Sequence, residues 1–365
     1  MQDQDRTGAP PRSLRTKGRG ATYNPHNRFA PLRHEAFDDG WWQDPEALEP
    51  RSVPTVTIVD DSKTIVSTNQ SPDLPFDQSI NPYRGCEHGC IYCYARPTHA
   101  YWDMSPGLDF ETRIVVKPDA ARLLEQTFDK PGYQCKVINI GANTDPYQPL
   151  ERNLQTTRQI LEVMQRYRHP FTIITKSALV VRDVDLLAEM ATDNLCLVAL
   201  SVTTLDDDLK RRLEPRTSSG RRRIRAIETL AARGIPVAAM VAPVIPAIND
   251  SELETILQQA REAGATRAGY ILLRLPFEVK GLFEAWLETH FPDRREHVMS
   301  IVRQSRGGAA YQAEFGVRMR GEGVFATLLE RRFQVAARRL GFPEMGTRPR
   351  ALDSTRFRRK QQELF

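Results

Sequence analysis

The sequence predicts an α/β protein built around an open, partial barrel of parallel strands, with about six β/α units and an extension at each end. Two observations indicate this fold. Uninterrupted apolar runs, typical of strands covered on both faces, recur along the chain, and amphipathic segments of helical period separate them. The stretch 78–290 is too short for eight β/α units of about 30 residues each, whereas six units fit.

The elements of the barrel follow from these patterns in chain order. A first strand leads into a loop rich in Pro, Gly and Asn, and further strands are expected at 136–141, 171–175, 195–202, 236–241 and 268–275. Helices are expected at 120–128, at 154–167, after a capping Asp183, up to Gly234, and from a Ser251–Glu254 capping box to Gly264. A last helix is expected beyond the barrel, through Phe325 and Leu340.

The chain divides into five stretches. They are a basic, largely irregular arm (1–50), a β-hairpin with its lead-in (51–77), the barrel (78–290), a helical extension (291–345) and a basic tail (346–365). The hairpin is predicted from two β-rich runs, 55–60 and 63–68, that flank a polar Asp-Ser pair.

Positive charge is concentrated at the two ends of the chain. Residues 1–34 contain seven Lys and Arg against two Asp, and residues 346–365 contain six against two acidic residues, whereas the body is mildly acidic. Such ends either contact phosphates or are simply solvated. The chain lacks an apolar run of the roughly 18–20 residues of a membrane span, and its N-terminus lacks the apolar segment of a secretory signal, so we expect a cytoplasmic protein.

Three of the five cysteines lie within eight residues. Cys86, Cys90 and Cys93 occur in GCEHGCIYCYARP, just after the first predicted strand. Thiolates this close together can bind one metal centre, but three are one short of a closed tetrahedral site. A four-iron cluster held by three cysteines leaves one iron open for another ligand.

The alternative is a structural zinc site in a non-catalytic, metal-stabilised binding module. His88 or His99 is then the fourth ligand. The remaining cysteines, Cys135 and Cys196, stand at the starts of predicted strands and are expected to be ordinary core residues.

The Cys-x3-Cys-x2-Cys spacing, with Tyr92 before the third cysteine, resembles the signature of the radical S-adenosylmethionine (SAM) superfamily. The wider chain resembles the branch of DNA repair photolyase-like proteins, relatives of spore photoproduct lyase, in NPYRGCEHGCIYCYARP, GANTDPYQPLE, TKSALVVRDVDLL, SVTTLDDDLKRRLEPR and APVIPAIND. The resemblance implies that 78–290 is a radical SAM core with a [4Fe-4S] cluster on the three cysteines. It further implies reductive cleavage of SAM to methionine and a 5′-deoxyadenosyl radical, with a reductant such as flavodoxin or ferredoxin.

The ends of the predicted strands supply candidate contacts to SAM, because ligands of parallel sheets bind at the carboxyl edge. The candidates are Asn143 and Asp145 for the ammonium group, Lys176 and Arg216 for the carboxylate, Ser177, Ser201 and Thr203 for hydroxyl groups, and Val244 beside the adenine. Turn formation, packing and solvation explain the same residue types equally well, and both interpretations stay open.

Two tyrosines flank the third cysteine. By resemblance, Tyr92 covers the region of the cluster and SAM, and Tyr94 relays a hydrogen atom, with ordinary packing as its alternative. Spore photoproduct lyase has a hydrogen-donating cysteine at the end of its second strand, but 141–146 contains none. Reversal of a thymine dimer by that route is therefore not expected, although the basic ends and nearby aromatic residues such as Tyr101 and Trp102 leave a nucleic-acid partner open.

Overall fold

The computed structural model describes residues 18–30, 53–344 and 351–359. Ten strands lie within this part of the chain: β1 Val56–Val59, β2 Val66–Thr68, β3 Gln78–Ile80, β4 Tyr83–Arg84, β5 Arg113–Val116, β6 Ile138–Ile140, β7 Phe171–Thr175, β8 Cys196–Ser201, β9 Val237–Val244 and β10 Arg267–Leu272. The helices of the same residues are α1 Asp109–Thr112, α2 Ala120–Phe128, α3 Glu151–Leu154, α4 Thr156–Arg166, α5 Val184–Thr192, α6 Asp207–Leu213, α7 Gly220–Ala231, α8 Leu253–Glu262, α9 Glu278–His290, α10 Arg295–Gln304 and α11 Gly323–Arg339.

The main sheet has seven strands in the order β10-β9-β8-β7-β6-β3-β2. Strands β3, β6, β7, β8, β9 and β10 are parallel, and only the edge strand β2 runs antiparallel to its neighbour in this sheet. Because β10 and β2 are opposite edges of the sheet, the barrel is open. The prediction of an open parallel barrel of about six units is confirmed.

The sheet encloses the largest apolar core. Ile140, Ile173 and Val198 lie side by side on adjacent strands and are completely buried. A second apolar cluster joins Leu213 at the end of α6, Phe283 and other residues of α9 and α10 to Cys90, Ile91 and Tyr92 of the cysteine loop. The two cores leave the carboxyl edge of the sheet free for the loops that carry the candidate site.

The predicted hairpin at 55–68 is wrong. Strand β1 pairs in parallel with β5 in a separate three-stranded sheet, and β2 pairs antiparallel with β3. The reason lies at Asp60, whose amide donates to the Val116 carbonyl and whose carboxylate accepts hydrogen bonds from Ser62 and Arg84. These contacts bind the end of β1 to the neighbouring sheet and turn the chain away before β2.

Two capping predictions require correction, whereas the helix predicted at 154–167 is present as α4. Gln155, in a left-handed conformation with φ of 53°, separates α4 from the short α3 that precedes it. Asp183 precedes α5 but forms no side-chain cap, since Arg158 and Arg182 bind its carboxylate. The Ser251–Glu254 capping box does not form, because Glu254 pairs with an arginine of α11.

The N-terminal segment 18–30 contains no helix or strand, as predicted, yet it is packed against the body. Ala21 and Asn27 are buried, and Arg28 pairs with Glu278 at 2.9 Å. The rest of the basic arm and most of the basic tail lie outside the described residues. Among the residues that are described, no helix is long and apolar enough to cross a membrane.

Candidate active site

The three clustered cysteines lie on a loop that follows β4 at the carboxyl edge of the main sheet. Backbone hydrogen bonds hold this loop at both ends: the Cys86 amide donates to the Phe110 carbonyl at 2.8 Å, and the Ile91 amide donates to the Leu213 carbonyl at 3.2 Å. Gly89 takes a φ of 68°, and a Cβ atom there would lie 2.7 Å from a carboxylate oxygen of Glu111. The tight path of the loop therefore requires glycine at this position.

A buried ion pair lies behind the loop. Arg96 is completely buried, donates to the Cys90 carbonyl at 3.0 Å, and pairs with the equally buried Glu111 at 2.5 Å. The Glu111 carboxylate also accepts hydrogen bonds from the amides of Gly20 and Ala21, both at 2.8 Å. Since a buried charge is tolerated only when it is paired and hydrogen-bonded, the N-terminal segment completes the support of the cysteine loop.

The three thiols lie close to one another and to two cations. Burial raises the pKa of Cys86, Cys90 and Cys93 above the ordinary value of a thiol. The ammonium group of Lys176 opposes this rise at Cys90 and Cys93, and Arg96 opposes it at Cys93. The thiols are thus protonated in the free protein, and a metal centre that binds them displaces their protons.

Lys176 lies where the ends of three strands meet. Its ammonium group donates to the Ala242 carbonyl at 3.2 Å and lies 5.9 Å from the centre of the Tyr92 ring. The hydroxyl oxygen of Thr203, after β8, lies 3.2 Å from the same carbonyl. Three residues predicted to contact a cofactor therefore converge beside the cysteine loop.

A charged network that the sequence analysis did not single out holds Tyr92 in place. The hydroxyl group of Tyr92 donates to Glu214, and Thr203 donates to the same carboxylate oxygen at 2.7 Å. The other oxygen of Glu214 pairs with Arg223, and both side chains are buried. Burial opposes ionisation of Glu214, but Arg223 and Lys176 outweigh it and lower the pKa to about 2. Glu214 is therefore a buried, ionised anchor.

Asp145 also acts as an anchor. Its carboxylate accepts hydrogen bonds from the Thr175 hydroxyl and the Lys176 amide, both at 2.7 Å, and from the Tyr147 amide at 2.9 Å. Nδ1 of His88 lies 3.3 Å from the same carboxylate. These four partners saturate the Asp145 carboxylate and connect the ends of β6 and β7 to the cysteine loop. Because the carboxylate is already bound, Asn143 is a better candidate than Asp145 for contact with a ligand.

Asn143 retains a free acceptor. Its amide nitrogen Nδ2 lies 3.3 Å from the Thr98 hydroxyl, and its backbone amide donates to Asn81 at 2.8 Å. Nothing among the described residues donates to its Oδ1 atom. This oxygen remains available to a ligand at the edge of the sheet.

Arg216 and Val244 both have partners within the protein. Arg216 pairs with the buried Glu87 at 3.1 Å. Val244 is completely buried in the main core, and its carbonyl accepts the Leu273 amide at 3.0 Å. The Val244 carbonyl is thus occupied, because β10 continues the sheet and pairs with that end of β9. The placement of Val244 beside adenine stays a prediction.

Both candidate serines are buried. Ser177 accepts a hydrogen bond from the Leu179 amide at 3.2 Å and caps the short helix Ala178–Asp183, which agrees with a turn-forming role. Ser201 ends β8, and its carbonyl accepts a hydrogen bond from Arg223 at 2.8 Å.

Tyr94 lies at the solvent-exposed side of the cysteine loop. We call this side, marked by Tyr94 and Arg274, the opening of the site. The hydroxyl group of Tyr94 donates to the Ala142 carbonyl after β6, and 45% of the residue's surface is exposed. The guanidinium group of Arg274 lies 5.2 Å from the centre of the ring. Tyr94 thus lies between the cysteine loop and solvent.

Comparison with known families decides the class of this site. The family model of the radical SAM superfamily matches residues 80–260, which include the cysteine loop and strands β6 to β9. The chain belongs to the radical SAM superfamily. An uncharacterized protein of Mycobacterium tuberculosis is 38% identical over 233 residues, which cover 63% of this chain and 68% of the relative. An uncharacterized protein of Methanocaldococcus jannaschii is 30% identical over 217 residues, which cover 60% and 77% of the two chains.

Solved structures show the same radical SAM fold. Spore photoproduct lyase complexed with dinucleoside spore photoproduct matches with a TM-score of 0.55 at 16% identity, over 78% of this chain and 79% of that chain. A variant of the lyase with bound AdoMet (that is, SAM) and dinucleoside spore photoproduct matches with a TM-score of 0.53 at 15% identity, over 80% of this chain and 85% of that chain.

Membership of the radical SAM superfamily implies a [4Fe-4S] cluster and SAM, and the donor set of this chain fits them. Cys86 and Cys90 are buried and Cys93 is half-buried; the three thiols have no disulfide partner and share one loop. The two candidate fourth ligands of a zinc site have other partners: His88 faces Asp145, and Nε2 of His99 lies 3.0 Å from the carbonyl of Arg113. Within the described ranges, no three His, Cys, Asp or Glu side chains converge on one ion position, as mononuclear zinc requires.

Proposed function

We propose that this chain is a radical SAM enzyme that binds its [4Fe-4S] cluster through Cys86, Cys90 and Cys93 and acts on a nucleic acid. One observation carries the proposal: the cysteine loop lies at the carboxyl edge of six parallel strands, beside Lys176 and Tyr92. When bound, the reduced cluster and SAM supply a 5′-deoxyadenosyl radical, the species that abstracts hydrogen from substrate. A reductant such as flavodoxin or ferredoxin provides the electron.

The residues around the loop have distinct tasks in binding SAM. Lys176 binds the carboxylate of SAM, because its ammonium group lies near Cys90 and Cys93 and, unlike Arg96 and Arg223, it forms no ion pair among the described residues. Asn143 accepts a hydrogen bond from the ammonium group of SAM through Oδ1. Tyr92, fixed by Glu214, covers the region between the loop and SAM. Thr203 and Ser201 lie at the end of β8, where the ribose is expected.

Tyr94 is the proposed relay of a hydrogen atom to or from the substrate. It follows Cys93 directly, and its ring is accessible from the opening of the site. Although the ring is partly exposed, its hydroxyl group is bound to the Ala142 carbonyl, and desolvation of this group raises its pKa to about 12. The phenol therefore keeps its proton throughout the physiological range. A neutral phenol next to a radical site can donate a hydrogen atom, which suits a chain that has no cysteine at 141–146.

A nucleic-acid substrate is supported by the fold and by the surface. Two of the spore photoproduct lyase structures that share this fold contain bound dinucleoside spore photoproduct. In this chain, exposed aromatic rings of Phe29, Tyr101 and Phe277 lie next to the segment that follows the cysteine loop. Exposed aromatic rings are suitable platforms for unstacked bases.

Anaerobic reconstitution with iron and sulfide tests the cofactor assignment. We expect about four irons and four sulfides per chain and, after reduction, an electron paramagnetic resonance signal that changes when SAM is added. A single zinc per chain, or a four-iron signal that SAM leaves unchanged, would overturn the proposal.

A further inference from the structure

Arg274 is an arginine without a charged partner at the opening of the site. It follows β10 at the carboxyl edge, and among the described residues it forms no ion pair. Its guanidinium group has only weak contacts, at 3.4 Å to the sulfur of Met319 and at 3.5 Å to the hydroxyl group of Tyr311. Its Nε atom is buried and has no hydrogen-bond partner.

A second arginine, Arg306, adds another positive charge without an ion-pair partner. Arg306 is buried behind Arg274 and donates to four backbone carbonyls, and its Nε atom also lacks a partner. Within the described part of the chain it too forms no ion pair. Burial, assisted by Arg274, lowers the pKa of Arg306 to about 10, and it therefore stays charged at neutral pH. The nearby carboxylate of Glu322 opposes this lowering of the Arg306 pKa only in part and forms an ion pair with neither arginine. A bound anion therefore stabilises both partly desolvated cations.

The unpaired guanidinium group is next to the proposed reaction site. It lies 5.2 Å from the ring centre of Tyr94 and 5.9 Å from that of Tyr311. Tyr94 follows Cys93 directly, so an anion held by Arg274 lies close to the cysteine loop. The planar fork of an arginine matches the oxygen atoms of a phosphate or a carboxylate.

The exposed aromatic residues near Arg274 favour a nucleic-acid phosphate as the bound anion. Phe277 lies three residues after Arg274 and is 66% exposed, and Tyr101 is 71% exposed. Arg28 stacks on Phe277 at 4.5 Å and lies over Tyr101 at 5.7 Å, which places both rings on one surface. An acidic peptide uses cations but gains little from exposed aromatic rings, whereas single-stranded nucleic acid uses both.

We propose that Arg274 binds a backbone phosphate of a single-stranded or unpaired nucleic-acid substrate and thereby directs the adjacent nucleotide to Tyr94. This inference rests on the proposed radical SAM function. It adds an assigned phosphate subsite and a preference for unpaired nucleotides.

The test is binding of a fluorescein-labelled 12-nucleotide single-stranded DNA to reconstituted protein, measured by anisotropy at several salt concentrations. For Arg274→Gln we expect about a tenfold loss of affinity and a salt dependence (log affinity against log salt) that is shallower by about 0.7, the value of one phosphate contact on a single strand. Arg274→Lys, which keeps the charge but not the fork, should show an intermediate loss of affinity. Arg233→Gln is the matched control, because it removes the same charge from the exposed turn between α7 and β9, at the opposite edge of the sheet.

The outcomes separate the two proposals. Equal DNA binding by Arg274→Gln and Arg233→Gln would overturn the phosphate subsite, even if the reconstituted wild-type protein shows the SAM-dependent signal. Arg274-dependent binding of a 12-residue poly-glutamate peptide in place of DNA would also overturn it, in favour of a carboxylate ligand. Absence of the SAM-dependent signal in wild-type protein is instead a failure of the proposed function. Circular dichroism and iron content of each variant show whether it is folded and loaded before binding is compared.

Discussion

At the scale of single residues, the five cysteines fall into two classes according to their position in the fold. Cys86, Cys90 and Cys93 share one loop beside Lys176, whereas Cys196 is completely buried in the main core and donates to a carbonyl within that core. Cys135 lies just before β6, at the amino edge of the sheet and far from the loop. The chemistry of the thiols follows from where the fold places them.

Replacement of each cysteine by alanine tests this division. Cys86→Ala, Cys90→Ala and Cys93→Ala should each lose the iron–sulfur absorption after anaerobic reconstitution. Cys135→Ala and Cys196→Ala are the matched controls and should retain it, with Cys196→Ala losing about 1 kcal/mol of unfolding free energy to a small cavity. Loss of iron in Cys135→Ala would contradict the three-ligand assignment.

Asp145 gives the fold a predictable dependence on pH. Burial alone would raise its pKa, but His88, the Lys176 amide and the Thr175 hydroxyl outweigh burial and lower the pKa to about 2, against an ordinary value of 3.8. The ionised carboxylate therefore stabilises the folded state above pH ~4, and this contribution is lost as the pH falls from about 4 to about 2. It amounts to about 2 kcal/mol.

Urea unfolding of the cluster-free protein at pH 5 and pH 3 measures this contribution. Asp145→Asn should be less stable than wild type at pH 5, and the difference in unfolding free energy should shrink by about half at pH 3. Asp61→Asn, at an exposed aspartate, serves as the control and should follow wild type at both pH values. A difference between Asp145→Asn and wild type that stays constant with pH would show that the carboxylate is not ionised as the contacts require.

At the scale of elements, the cysteine loop depends on a segment that is distant in sequence. Gly20 and Ala21 donate their amides to Glu111, which pairs with Arg96 behind the loop. A Cβ atom on Gly20 would lie 1.8 Å from the carbonyl oxygen of Gly89, so the two backbones are in direct contact. The segment 18–30 acts as a clamp on the loop.

Gly20→Ala should therefore displace the clamp. We expect a loss of about 1–3 kcal/mol of stability and a lower iron content, because backbone in contact with backbone cannot yield as a side chain does. Gly18→Ala in the same segment meets no atom within 4 Å and should cost only the strain of its positive φ, about 1 kcal/mol. Thermal unfolding and iron analysis of the two variants, side by side, distinguish a clamp from a passive tail: equal behaviour would refute the clamp.

The elements also show what a single sequence can predict. The six parallel strands were predictable, because strands covered on both faces are apolar throughout, and the cysteine loop was predictable from its spacing. The error at 55–68 could not be foreseen from the sequence. Contacts between residues that are distant in the chain, such as that of Asp60 with Val116, determine which strands pair with β1 and β2. The strand propensities of the residues in a segment do not show which distant strand that segment pairs with.

The same limit applies to the candidate site. Lys176, Tyr92 and Thr203 were singled out because they follow strands or the motif, and the structure brings them together. Arg96 and Glu111 were missed because an isolated charge in a sequence is indistinguishable from a solvated one. Glu214 was missed although it lies in the quoted stretch SVTTLDDDLKRRLEPR, where its only signal was its position near Arg216.

At the scale of the whole molecule, the amino-terminal region is part of the catalytic body rather than an appendage. If only 86–216 were needed for the cluster, deletion of residues 1–30 would leave the cluster intact. The structure predicts the opposite, since this deletion removes two of the hydrogen bonds to the buried Glu111. We expect that protein lacking residues 1–30 is less stable and loads iron poorly, whereas protein lacking residues 1–17 keeps every described contact and loads normally.

Iron content and unfolding temperature of the two truncated proteins check this expectation. Normal iron loading by protein that lacks residues 1–30 would contradict the role of the segment 18–30 in the site. Poor loading by protein that lacks only residues 1–17 would assign the effect to residues that precede the clamp.

The central claim is that this chain generates a 5′-deoxyadenosyl radical from SAM at the cysteine loop. The most direct measurement is chromatographic detection of 5′-deoxyadenosine after the anaerobically reconstituted protein is incubated with SAM and dithionite. We predict that wild-type protein forms 5′-deoxyadenosine and methionine, and that Cys90→Ala forms neither. A protein with a full complement of iron and sulfide that leaves SAM intact under these conditions would contradict the claim.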